Sequence, residues 1–181
     1  RPETKMELEN GSSMVRIPTN KFSLPVDKAK VLKNGIVSSK FADQIVDAIP
    51  FDIKQSSIPR QRIIMLDIIA NNNWERPIYF TSGSLGDDDF VWMKDYLQLS
   101  GVTYKLVPVK AERQYDNHPL YIGSIDTDKM YDMVTKWYWG NFGSTTIYHD
   151  PETRRNSMMY RTNLMRLAEQ LIVEGKNDKA R

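Results

Sequence analysis

Apolar and polar positions follow the clearest pattern in the middle of the chain. Residues 57–70 open with Ser57 and Pro59, and residues 63–70 are apolar except for Asp67, which predicts a helix buried on all sides. Residues 77–81 have the pattern of a strand, residues 90–99 the spacing of a second helix, and residues 102–109 the alternation of a second strand. Since a strand–helix–strand connection of this length normally joins parallel neighbours, this order predicts a parallel pair.

The N-terminal part adds shorter elements. Residues 14–18 and 22–26 are strand candidates, residues 50–54 alternate as a further strand, and Asp27 is placed to cap a short helix. We therefore expect residues 14–150 to form one soluble α/β domain. Its predicted architecture is a small, mostly parallel sheet of three to five strands with flanking helices.

The C-terminal residues carry a different pattern. A helix over residues 155–174 has its apolar positions on one stripe, and Gly175 follows as a turn. This pattern is similar to the first helix and turn of a tetratricopeptide (TPR) repeat, with an ordinary helical hairpin as the alternative. One repeat cannot bury its own face, and residues 179–181 start a further helix-forming pattern at which the sequence stops. We therefore expect residues 151–181 to be the truncated start of a TPR-like repeat in a larger protein.

Charge and composition exclude several classes of binding site and catalytic site. The net charge of +2 offers no basic face for nucleic acid, and the absence of cysteine excludes thiolate catalysis and cysteine-based zinc sites. The two histidines, His118 and His149, lack metal-ligand spacing, so no metal, cofactor or catalytic residue is predicted. The loop at residues 82–86 is no phosphate-binding fingerprint, and the three aspartates at 87–89 would repel phosphate, so we expect no nucleotide partner.

One aromatic cluster is the best candidate for contact with a ligand. Trp137, Tyr138, Trp139 and Phe142 follow a predicted helix that Asp126 caps. Such rings can stack on sugars, although aromatic residues at helix ends also serve as packing anchors between elements. We predict these four as ligand-binding residues and keep the packing role as the alternative.

Several stretches together resemble one known family. They are residues 65–80, 95–97, 104–109, 126–131 and 139–140. They resemble the C-terminal soluble region of a large bacterial family of multi-pass membrane proteins, long catalogued as a domain of unknown function. That family is similar to protein O-mannosyltransferases of the GT-C type, which use lipid-linked sugars. The resemblance spans nearly the whole chain, from about residue 14 to residue 181.

The resemblance implies a place on the periplasmic side of the bacterial inner membrane and a parent protein of glycosyltransferase type. In such parents the catalytic acidic residue lies in a loop near the membrane-embedded half, and we expect that half to be absent from this chain. The resemblance therefore assigns no catalytic residue here. We expect a non-catalytic accessory domain that contacts that half and positions an acceptor protein or another partner. Two alternatives stay open: a carbohydrate-binding module that uses the aromatic cluster at residues 137–142, and a hydrolase with an unrecognised site.

Overall fold

The computed structural model describes residues 5–7, 13–15, 19–55, 57–81, 87–111 and 121–181. Its strands are β1 Lys5–Glu7, β2 Ser13–Val15, β3 Lys21–Pro25, β4 Ala48–Asp52, β5 Tyr79–Thr81, β6 Leu97–Ser100, β7 Thr103–Leu106 and β8 Ser124–Ile125. Its α-helices are α1 Lys28–Lys33, α2 Arg60–Asn72, α3 Thr127–Val134 and α4 Pro151–Val173. Short 3-10 helices lie at Ser39–Gln44, Asp87–Phe90 and Lys94–Tyr96.

Antiparallel pairing dominates the sheets. β1 pairs with β2 and β3 pairs with β4, while the four-stranded sheet has the order β5-β7-β6-β8. Within that sheet β5–β7 and β6–β7 are antiparallel, and β6–β8 is the one parallel pair among the described strands. The predicted α/β class with a mostly parallel sheet is therefore wrong, and the chain has a mixed, mostly antiparallel architecture with flanking helices.

The error comes from residues 90–99, which the sequence pattern predicts to be a helix. Val91 and Trp92 adopt left-handed backbone angles, with φ of 45° and 61°, so a right-handed helix cannot continue through them. The chain then extends as β6 and returns as β7 after a two-residue turn at Gly101, whose φ of 64° suits glycine. A direct hairpin replaces the expected crossover helix, and hairpin strands must be antiparallel.

The two faces of the four-stranded sheet differ in chemistry. Phe80, Tyr104 and Leu99 lie side by side on one face, where Phe90 packs edge-on against both Phe80 and Tyr104 at 5.7 Å between ring centroids. The opposite face carries Gln98 and Lys105 as partners across the hairpin, and both are buried. The apolar face therefore belongs to the hydrophobic core, whereas the other face buries polar groups.

Helix α2 is much less buried than its sequence predicts. Ile69 is its buried residue, while Ile63, Ile64 and Ile68 are about half exposed, with 58% of Ile68 accessible. Its N-terminus is held by Arg62, which forms ion pairs with Asp88 and Asp89. The expectation of a helix buried on all sides is wrong, because only one stripe of α2 faces the described core.

Helices α3 and α4 begin where side-chain caps can form. The Asp126 carboxylate accepts a hydrogen bond from the Lys129 N–H, and the Asp150 carboxylate accepts one from the Thr153 N–H, so each satisfies a backbone donor of the first turn. Asp126 confirms the predicted cap of α3. Helix α4 then runs for 23 residues and turns its buried side chains toward the sheet: Asn163, Arg166, Leu167 and Leu171.

After α4 the chain turns at Gly175, and residues 177–179 form a further turn. The TPR-like repeat expected for residues 151–181 stays a prediction, as does the boundary at residue 150. No helix within the described ranges combines the length and apolar character that a membrane span requires.

Glu174, which caps the C-terminus of α4, joins three parts of the fold. Its carboxylate accepts hydrogen bonds from the Lys40 ammonium at 2.9 Å, the Thr127 hydroxyl at 2.7 Å and the Lys176 ammonium at 2.8 Å. Burial alone would raise the pKa of the Glu174 carboxyl, but hydrogen bonds from Lys176, Thr127 and Lys40 outweigh it and lower that pKa to about 2. The ionised carboxylate is therefore the form that the fold stabilises.

We expect Glu174→Gln to make stability less dependent on acid pH. A lowered pKa means that the carboxylate stabilises the fold fully above its ordinary pKa of 4.5, and that this contribution is lost as the pH falls toward about 2. The variant should lose about 2 kcal/mol of unfolding free energy at pH 7 and much less near pH 2.5, as measured by urea denaturation. Glu152→Gln, which breaks an exposed ion pair with Arg155, is the control and should change stability little. A loss that is equal at both pH values would contradict this role.

Candidate functional site

The four aromatic residues predicted from the sequence lie in the segment between α3 and α4. Backbone hydrogen bonds from Trp137 to Val134 and from Phe142 to Trp139 fold this segment back on itself. Against the N-terminal half of α4 it encloses an open groove of about 710 Å³, which we call the aromatic groove. Its lining residues are Val102, Trp137, Tyr138, Trp139, Phe142, Thr153, Asn156, Ser157, Tyr160, Arg161 and Leu164.

Three rings form the centre of the groove. The ring centroids of Trp137 and Trp139 are 5.5 Å apart, and Tyr160 of α4 lies 5.7 Å from Trp137 and 6.0 Å from Trp139. All three pairs meet edge to face, the arrangement that aromatic quadrupoles favour. Tyr160 is a site residue that the sequence analysis missed. The sequence feature that could have identified Tyr160 is its spacing: it lies four residues before Leu164, on the same apolar stripe of the helix.

The base of the groove is fixed by three separate elements. Trp137 packs against Gly101 in the β6–β7 turn so closely that a Cβ on Gly101 would lie 3.1 Å from the Trp137 ring and 3.0 Å from the Met133 sulfur of α3. The Asn163 amide of α4 donates a hydrogen bond of 3.0 Å to the Gly101 carbonyl, and this contact is buried. The hairpin, α3 and α4 therefore position the aromatic rings.

The outer part of the groove faces solvent. Tyr138 is 95% exposed and Trp139 is 44% exposed. Phe142 stacks on His149 at 4.9 Å between ring centroids, which orients its ring at the rim. The structure thus brings all four predicted residues to one groove, where Trp137 is part of the packed base and Tyr138 is free to contact a ligand. His118 lies outside the described residues.

The wall contributed by α4 contains four polar side chains besides Tyr160 and Leu164, and we call these four the polar wall. Thr153, Asn156, Ser157 and Arg161 line it, and no acidic side chain is among the described lining residues. The groove therefore combines aromatic rings on one side with uncharged hydrogen-bonding groups and one cation on the other. Such a wall can orient a ligand, whereas the described lining offers no histidine or carboxylate for acid–base chemistry.

A second, smaller cavity of about 240 Å³ lies near the C-terminal half of α4. Arg166 on its wall is only 4% exposed, and its guanidinium donates hydrogen bonds to the Ile122 carbonyl at 2.8 Å and to the Gly123 carbonyl at 3.1 Å. Burial lowers the pKa of Arg166, while contacts with Tyr104 act in the opposite direction. The guanidinium also packs over the Tyr121 ring at 5.3 Å. Arg166 therefore connects α4 to the sheet and to the segment before β8, which is a structural role.

Among the described lysines, Lys105 has the pKa that is shifted furthest from its ordinary value. Burial, together with the charge of Lys129, lowers the pKa of its ammonium to about 8, and the Asp126 carboxylate partly offsets this effect. Lys105 lines neither cavity described above. In the described ranges, no three acidic or histidine side chains converge on a point where a metal ion could be held. The loop at residues 82–86 lies outside the described residues.

Comparison with known protein families identifies a relationship for most of the chain. A family model described as TMEM260-associated domain 2 matches residues 1–129. No curated protein and no solved structure matches the chain. The matched span includes the hairpin beneath the aromatic groove and the start of α3, whereas the exposed aromatic residues and α4 follow it.

Proposed function

Because the chain belongs to the TMEM260-associated domain 2 family, and is thus an accessory domain of a TMEM260-like protein, we propose that it is a non-catalytic domain that holds an acceptor protein or another partner beside a membrane-embedded glycosyltransferase. In this proposal the domain lies on the periplasmic side of the bacterial inner membrane and contacts the membrane-embedded half of its own protein. The resemblance to O-mannosyltransferase-like membrane proteins supports the glycosyltransferase parent.

The observation that carries the proposal is the aromatic groove. Binding surfaces are enriched in tryptophan, tyrosine and arginine and are poor in carboxylates, and a few aromatic residues usually contribute most of the affinity. The groove has this composition, and its base is fixed by the hairpin, α3 and α4. A preformed site of this kind loses little conformational entropy when it binds a partner.

The test uses the full-length parent protein in bacterial spheroplasts. We expect Tyr138→Ala combined with Trp139→Ala to lower sugar transfer to protein acceptors by about fivefold or more at low acceptor concentration. The loss should shrink as acceptor concentration rises, because a positioning domain raises KM rather than lowering kcat. Protease added outside the spheroplasts should cleave the domain.

Tyr148→Ala is the matched control, since Tyr148 is 78% exposed in the same segment and does not line the groove. If the double variant transfers sugar as fast as the wild type at every acceptor concentration, the positioning role is refuted. Protection of the domain from external protease would refute the periplasmic location, and turnover by the isolated chain would refute a non-catalytic domain.

A further inference from the structure

We propose that the ligand of the aromatic groove is a carbohydrate, a short chain of pyranose rings that lies between the exposed aromatic residues and the polar wall of α4. This inference rests on the proposed function and deepens it, because it names the chemical class that the accessory domain recognises on its partner, which is then a glycan or a glycan-bearing acceptor protein. It is carried by the size of the groove and by the aromatic and polar side chains that line it together.

The size of the groove suits a compact ligand. Small-molecule sites usually enclose about 300–1,000 Å³, and the volume of about 710 Å³ lies within this range. A protein partner instead usually covers about 800 Å² on each side, most of it outside any cavity. Two or three linked sugar rings therefore match the enclosed part of the site.

The two walls match the two kinds of surface on a sugar. A pyranose ring has a face of C–H bonds, which is apolar, and an edge of hydroxyl groups. The exposed rings of Tyr138 and Trp139 offer apolar surface to the first. The polar wall, which lines the same groove from α4, can contact the second. A purely apolar ligand would displace water from the exposed Asn156 and Arg161 side chains without replacing its hydrogen bonds, which costs free energy.

The polar wall offers both donors and acceptors. The Thr153 hydroxyl donates to the Asp150 carboxylate at 2.7 Å and the Ser157 hydroxyl donates to the Arg154 carbonyl at 2.6 Å, so each has its lone pairs left for a ligand. The Asn156 amide can donate and accept, and Arg161 donates. Sugar hydroxyls are themselves both donors and acceptors, so each of these groups can be satisfied by one ligand type.

The charges of the wall set a preference among sugars. Arg161 brings the one cation to the described lining of the groove, and no carboxylate faces it there. Neutral and acidic sugars are therefore accepted, whereas cationic amino sugars are disfavoured because no anion compensates their charge.

The experiment titrates the 181-residue chain with trisaccharides of glucose, galactose, mannose, glucuronic acid and glucosamine, and measures binding by calorimetry and by saturation-transfer NMR. At least one neutral or acidic trisaccharide should bind with a Kd of about 0.1–1 mM, with magnetisation transferred to its C–H face. Trp139→Ala should raise that Kd about tenfold or more, and Tyr148→Ala should change it less than about twofold.

The outcomes separate this inference from the proposed function. If no trisaccharide binds at about 10 mM, or if Trp139→Ala and Tyr138→Ala leave the Kd unchanged, the carbohydrate inference is wrong. If acceptor transfer in spheroplasts still depends on the same residues, the proposed function stands and a protein segment occupies the groove. Should Trp139→Ala fail to fold, as judged by near-UV circular dichroism, Asn156→Ala replaces it, because this exposed side chain contributes hydrogen bonds to the ligand alone.

Discussion

Replacement of Arg166 by alanine is expected to lower the free energy of unfolding by about 3–5 kcal/mol. The substitution removes a buried guanidinium that donates to the carbonyls of Ile122 and Gly123 and is hydrogen-bonded to Tyr104. Each buried acceptor left without its donor costs about 1–3 kcal/mol, and the removed side chain leaves a void above the Tyr121 ring. The effect should extend along α4, because Arg166 joins the C-terminal half of this helix to the segment before β8.

Urea denaturation followed by circular dichroism measures this loss. Arg161→Ala is the matched control, since it removes the same side chain from an exposed position on the same helix and should change stability by less than about 0.5 kcal/mol. The assignment of Arg166 as the main polar anchor of α4 would be refuted by a loss below about 1 kcal/mol, or by equal losses in the two variants.

Gly123→Ala is expected to cost about 3 kcal/mol or more, for a different reason. Gly123 has a left-handed φ of 72°, and a Cβ built on it would lie 2.4 Å from the carbonyl oxygen of Leu97 in β6. That oxygen belongs to the backbone of a central strand, so the clash can be relieved only by moving β8 away from β6. The parallel pairing of Gln98 with Ser124 would be the first part of the sheet to separate.

Gly35→Ala is the control that distinguishes the effect of the steric clash at residue 123 from the effect of backbone strain. Gly35 has a nearly identical φ of 64°, but a Cβ there would meet nothing within 4 Å. We expect this control to cost only about 1–2 kcal/mol, the penalty of a left-handed residue. The difference between the two variants measures the close approach of residue 123 to β6, and equal losses would show that no such clash exists.

The helices were largely predictable from the sequence because their signals are local. A capping aspartate precedes both α1 and α3, and the predicted caps at Asp27 and Asp126 form the expected hydrogen bonds. The sheet was less predictable. Leu97 and Leu99 flank Gln98 in a run that fits either a helix or a strand, so periodicity alone cannot distinguish them. Val91 has a left-handed backbone angle that prevents a helix from continuing through it. A β-branched residue rarely adopts this angle, so the sequence gives no indication of it.

The candidate site was predictable only in part, for a related reason. Trp137 and Trp139 stand out because aromatic residues cluster in the sequence, whereas Tyr160 reaches them only through the packing of α4. Likewise, the apolar run of α2 predicts burial, yet Ile68 is exposed because burial depends on which elements pack nearby. The cluster of aromatic residues in the sequence could therefore indicate one wall of the groove. The polar wall could be identified only from the tertiary structure, which brings α4 against that cluster.

The order of strands in the central sheet also has a consequence for how the chain assembles. β6 and β7 are separated by two residues, whereas much longer stretches of the chain separate β5 from β6 and β7 from β8. A hairpin of this kind forms within about 1–10 μs, well before pairings that must close long loops. Gln98 and Lys105 face each other across it, so they would meet while still hydrated. The later docking of the outer strands and helices then removes water from an ammonium that is already in place.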